Sequence, residues 1–230
     1  MTDAELRRVV HFDVPWLPVL TALTAAGLYA SLPDQFVFGP HHTVAAVARW
    51  LVLGLVVILL ATLVSLHRPE LEISDEMRSM LRRRSALTLM AIISAANILS
   101  VVLLVRFIIN GGKASGHQLV LAAIEIWWTN VIVFGLWFWE LDRGGPTARL
   151  LDPGERDFLF PQMTLDPRLL TRPFEPTFID YFYVAFTNAT AFSPTDTLPL
   201  TTQAKLLMLV ESGVSLLTLL MVASRAVNIL

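Results

Sequence analysis

The chain has 230 residues, of which 55% are hydrophobic and 16% charged, with a formal net charge of -2 and no cysteine. Soluble domains carry about 25% charged residues, so this composition excludes a soluble enzyme or a secreted domain, because the apolar excess needs lipid to cover it. The absent cysteines exclude disulfides, thiolate metal sites and a cysteine nucleophile, and the charge balance gives no sign of nucleic-acid binding.

A membrane span needs about 20 mainly apolar residues to cross roughly 30 Å of hydrocarbon. In chain order, Val14 to Leu32 is the first candidate. It follows Arg7 and Arg8 like a signal peptide, but its apolar run is long for one and holds Pro15 and Pro18, so a retained helix is expected. The second candidate runs from Thr43 to Leu66. Acids (Glu70, Glu72, Asp75, Glu76) then precede bases (Arg78, Arg82, Arg83, Arg84), the order a helix dipole favours, which predicts a short surface helix feeding the third span, Ala86 to Asn110. Leu119 to Trp139 is the fourth, stopped by Gly144, Gly145 and Pro146.

Glu140 to Pro176 is polar and proline-rich and reads as a connecting loop whose Phe158, Leu159 and Phe160 dip into the membrane interface. Thr177 to Phe192 is aromatic, short and polar at Asp180, Thr187, Asn188 and Thr190, which fits a spanning helix or a re-entrant segment. Lys205 to about Ala226 is the last span. Three regions follow: a four-helix part over 1–142, a cytoplasmic loop over 143–176 and a helix pair over 177–230.

Cytoplasmic loops collect Lys and Arg. With six spans and the N-terminus inside, thirteen arginines lie inside, while Lys113 and Lys205 lie outside and Arg49 and Arg106 within spans. A re-entrant Thr177 to Phe192 leaves five spans and puts Arg225 outside if the N-terminus stays in. Six spans with both termini cytoplasmic, in the plasma (inner) membrane, is therefore the expectation.

Ionisable groups in hydrocarbon cost several kcal/mol unless paired. Arg49, Arg106, Glu125 and Glu211 all sit about 6 to 9 Å inside the outer ends of their spans, at ~1.5 Å per residue, so a charge cluster is expected among them. Asp180, Tyr183, Thr187 and Asn188 fall on one helical stripe and, with Asp196, are the candidates for lining a pathway. A metal site at His41 and His42 is not expected, since adjacent histidines on a helix point apart. Neither is a catalytic site or a cofactor, because no nucleophile elbow, phosphate loop or zinc-binding HExxH is present.

The stretch DYFYVAFTNATAFSPTDTLPLTTQA, Asp180 to Ala204, precedes an apolar span and resembles the pore module of the potassium-channel superfamily. In that module an aromatic pore helix ends in threonines, a TVGYGD filter follows, and a polar turn leads to the inner helix. Ala191, Phe192, Ser193, Pro194 and Thr195 align with the filter, with Asp196 and Pro199 at the acid and proline beyond it. Both filter glycines are missing, which removes the backbone freedom that points carbonyls at an ion. A channel-like arrangement would also place the five arginines of the 140–176 loop outside. Trp139 to Pro146 (WELDRGGP) and Phe186 to Asp196 (FTNATAFSPTD) resemble stretches of an uncharacterised family of bacterial six-pass membrane proteins.

Together these readings predict an all-α polytopic transmembrane bundle, six spans or five plus a re-entrant pore-like segment. The function expected is ion permeation without potassium selectivity, in a channel- or transporter-like non-enzyme. The alternative is a non-conducting scaffold or accessory subunit. Membrane lipid, a small ion and further copies of the chain are the expected partners.

Overall fold

The computed structural model describes residues 16–37, 42–66, 74–112, 114–151, 154–170, 174–190 and 196–227. They form a helical bundle: α1 Trp16–Ser31, α2 His42–Ser65, α3 Asp75–Ile109, α4 Gly116–Leu141, α5 Pro146–Leu151, α6 Phe178–Thr190 and α7 Thr202–Val227. The only strands among the described residues are β1 Phe158–Leu159 and β2 Leu198–Pro199, paired antiparallel.

Four helical stretches are long and apolar enough to cross a membrane: Val47–Ser65, Met77–Ile109, Gly116–Gly144 and Thr202–Met221. Their outward faces carry large apolar side chains that water would not tolerate in such density, such as Trp50, Leu51 and Ile58 on α2 and Leu206 and Leu209 on α7. The chain is a helical membrane protein.

Local chemistry sets the ends of these helices. Ser74 caps α3, accepting from the Met77 amide. Ser115 and Gln118 form a reciprocal capping box at the start of α4. At the end of α3 the Gly111 amide reaches the Ile108 carbonyl and the Gly112 amide the Phe107 carbonyl, with Gly111 at φ 69. This double bond pattern needs a left-handed residue, which glycine supplies. Of the acids and bases expected to form a short surface helix, Asp75, Glu76, Arg78, Arg82, Arg83 and Arg84 are part of α3, which runs 35 residues without a break, while Glu70 and Glu72 lie outside the described residues. Nothing in Arg82 to Ser85 interrupts helical propensity, so the surface segment and the span fuse into a rod of about 52 Å.

α4 is the axis of the bundle, with 67% of its span buried against 11% for the span in α2. Around its C-terminal half Val131, Phe134 and Phe138 pack with Ala22 and Ala25 of α1, Leu89 and Ile93 of α3, and Val184 and Ala185 of α6. Around its N-terminal half Ala122 and Ile126 pack with Tyr29, Phe36 and Leu104.

Contacts fix the direction of α6. Phe178 meets Trp139, near the C-terminal end of α4, with ring centroids 5.9 Å apart. A methyl group on Gly135 would lie 3.2 Å from the Phe182 Cα, and Phe186 rests 5.8 Å from Trp127. α6 therefore runs antiparallel to α4. Thr201 bonds to Asp157 and β2 pairs with β1, so α7 begins at the end where α6 begins. Asn188 reaches the Met208 carbonyl, some two turns into α7, so α6 and α7 run parallel. α6 enters the bundle for 13 residues, about 20 Å, and the chain is back at its starting end by Leu198.

Candidate functional site: a buried carboxylate facing a half-length helix

Glu211 of α7 is fully buried. Its Oε2 accepts the Asn188 side-chain amide at 2.7 Å, and its Oε1 has no hydrogen-bond partner among the described residues. The same Asn188 Nδ2 donates to the Met208 carbonyl at 2.9 Å, and the Asn188 Oδ1 accepts the Ser212 hydroxyl at 3.1 Å. From α4, Asn130 donates to the Glu211 carbonyl at 3.0 Å and to the Ser215 hydroxyl at 2.9 Å. Asn130 and Ser215 are also buried, so three helices converge on one small polar cluster inside an apolar bundle. The arrangement can hold one negative charge or one proton, close to the inner end of α6.

A second polar cluster ties down the base of α6. The buried Asp142 carboxylate accepts the Tyr181 hydroxyl and the Asp157 amide, the latter at 2.8 Å, with the Arg143 Nε 3.6 Å away. Arg149 donates to the Trp139 carbonyl at 2.8 Å and to the Tyr181 oxygen at 3.2 Å, and its guanidinium stands over the Tyr181 ring. Asp157 then accepts the Thr201 hydroxyl, and its carbonyl accepts the Leu200 amide at 2.8 Å. Phe158 and Phe160 are buried against Tyr181 rather than dipping into a membrane interface, because this latch draws their backbone under α6.

The expected charge cluster does not assemble. Arg49 pairs with Asp34 at 2.9 Å and donates to the Ala30 and Leu32 carbonyls. Glu125 accepts the Ser31 hydroxyl at 3.0 Å. Arg106 is exposed and forms no ion pair among the described residues. Equal depth was a necessary condition for pairing, but Arg49 and Glu125 each bond to the C-terminal end of α1 rather than to each other. Glu211 takes an amide where a guanidinium was expected.

Of the pathway candidates, Asn188 alone reaches the Glu211 cluster. Asp180 caps α6, accepting the Thr177 amide at 2.7 Å and hydroxyl at 2.8 Å. Tyr183 faces outward at 60% exposure. The Thr187 hydroxyl donates to the Tyr183 carbonyl at 2.8 Å, and Asp196 is exposed. Ala191 to Thr195, aligned above with a filter, lie outside the described residues, as do His41 and the side chain of His42. Reading single segments missed Asn130, Ser212 and Ser215. An asparagine in the middle of an apolar span was the available signal for the first. In comparison with known proteins, no family model, no curated protein and no solved structure matches the chain.

Proposed function

We propose that this chain is a permeation protein of the plasma membrane, channel- or transporter-like, working through α6 and the cluster around Glu211. One observation carries the reading: a carboxylate with no exposure and no cationic partner among the described residues, met by a helix that enters the bundle and turns back. A carboxylate held in hydrocarbon at a penalty of several kcal/mol is by default a site where charge is handled.

In this reading α1, α2, α3, α4 and α7 cross the membrane, α6 is re-entrant from the cytoplasmic side, and the C-terminal end of α7 faces outward. Lys205 then moves inside and Arg225 outside, so the balance stays thirteen against two and charge no longer favours six spans. The likeness to a potassium-channel pore module extends to the order of half-helix, return and full helix, but inverted in the membrane. Potassium selectivity is not part of the proposal, because the filter glycines are missing.

Purified protein in liposomes, assayed for proton, sodium and potassium flux, tests this. Glu211→Gln and Asn188→Ala are expected to lower the flux at least about tenfold, the scale of ~1.4 kcal/mol, while Asp180→Asn leaves it within about twofold. Flux unchanged in both Glu211→Gln and Asn188→Ala would overturn the site. No flux of any of the three ions would favour a scaffold, a second reading supported by Arg83 and Arg84, exposed on the part of α3 that overshoots a bilayer. Those side chains suit anionic lipid.

A further inference from the structure

We infer that Glu211 is a proton-exchanging carboxyl and that the species handled at this site is the proton rather than a metal cation. The inference deepens the permeation reading and takes its meaning from it. Its basis is the arrangement of donors and acceptors around one buried group.

A buried carboxylate must be neutralised by a cationic side chain, a metal ion or a proton. Side chains come first. No ion pair involves Glu211 among the described residues. On α4 the nearest acid along the helix is Glu125, whose carboxylate is held by Ser31 of α1. On α3 Arg106 is exposed. On α6 Asp180 and Tyr181 are engaged at the far end with Thr177 and Asp142. On α7 itself Lys205 is exposed, more than a turn away towards the base.

A metal ion is next. Sodium, potassium or calcium needs several oxygens converging on one point. Here the neighbour on the carboxylate is an N–H. The amide of Asn188 cannot simply turn over to offer its oxygen, because its nitrogen is fixed by the Met208 carbonyl and its oxygen by the Ser212 hydroxyl. Asn130 likewise spends its amide nitrogen on the Glu211 carbonyl and Ser215. The cluster is wired for donating to a carboxylate, and Oε1 is left as the one open position.

A proton needs only that position. An O–H bond forms on Oε1, the charge on the carboxylate disappears, and Asn188 keeps its bond to Oε2. Release reverses the step, returning the proton to water, and no electron transfer is involved. The amide then has a defined role: it stabilises the ionised form, and so sets how readily the proton leaves.

Infrared spectra of the full chain in lipid, recorded along a pH titration, read this directly. A carboxylic-acid carbonyl band that fades as pH rises and is missing in Glu211→Gln is expected. Replacing sodium and potassium by a bulky organic cation should not move its midpoint. Asn188→Leu removes the donor to the charged form and is expected to raise that midpoint by about one pH unit. This variant keeps the carboxyl, so the test stands even where Glu211→Gln does not fold. A Glu211 band that never changes with pH would show a permanently protonated structural acid and overturn the inference, as would the lack of such a band at any pH. A midpoint that falls as sodium or potassium is raised would replace the proton by a metal cation. A titrating band in a protein without flux would sink the permeation reading and leave the proton site standing.

Discussion

Three successive residues at the end of α4 take left-handed backbone: Arg143 at φ 53, Gly144 at φ 78 and Gly145 at φ 96. For a side chain this region is strained, and Arg143 is held in it by the Asp142 and Glu175 carboxylates nearby. Gly145 could not be replaced so readily, since a methyl group there would lie 2.8 Å from the Glu140 carbonyl oxygen. Gly145→Ala is expected to destabilise the protein by about 1–3 kcal/mol, read as a lowered melting temperature in detergent. Gly154→Ala, with nothing within 4 Å, should change it by less than about 0.5 kcal/mol. Equal melting temperatures for the two variants would refute the strained turn. The glycines and proline that stop α4 were legible in the sequence, as was Glu211 as an ionisable group in a span. The inward direction of Asp142 was not, because the groups that hold it, the Asp157 amide and the Tyr181 hydroxyl, lie 15 and 39 residues away.

At the scale of elements, apolar runs located the long helices to within a few residues, except at the start of α3, where the charged segment from Asp75 continues the helix ahead of the expected Ala86. They left α6 undecided. Its 13 residues are too few to cross a bilayer at ~1.5 Å each, yet its direction depends on what it packs against, which no local pattern records. Gly135 is the position that admits it: with no side chain there, the backbone of α6 approaches α4 at Phe182. Gly135→Leu would push α6 off α4 and separate Asn188 from Glu211. A loss of flux of at least about tenfold is expected, with a destabilisation of roughly 1–3 kcal/mol from overpacking. Gly54→Leu, on α2 with open space around it, should leave both unchanged. Normal flux in Gly135→Leu would show that the docking of α6 on α4 does not matter to the pathway.

For the whole molecule, the absence of cysteine makes sidedness directly measurable. Single cysteines at Ser79, Ser115 and Thr202 separate the two topologies, because six spans put Thr202 on the same side as Ser115, and a re-entrant α6 puts it with Ser79. With an impermeant thiol reagent on intact cells, labelling of Ser115→Cys alone is expected. Labelling of Ser115→Cys and Thr202→Cys together would restore the sixth span. Charge counting could not make this distinction, since Lys205 and Arg225 merely exchange sides. What supports the re-entrant form is the pairing of Phe158 with Pro199, a contact between residues on either side of α6.

That pairing also constrains how the protein is made. A helix of 13 residues carrying Asp180 and Asn188 has too little apolar length to enter a bilayer on its own as it leaves the ribosome. Of its polar partners, Asp142 and Arg149 at the base precede it in the chain, whereas Glu211, which receives the Asn188 amide inside the bundle, follows it. In the re-entrant reading, the base of α6 can therefore dock as soon as it is made, while its far end gains Glu211, and β1 its paired strand, only once the chain through α7 has been translated. On that reading, the seating of α6 depends on the helix that follows it.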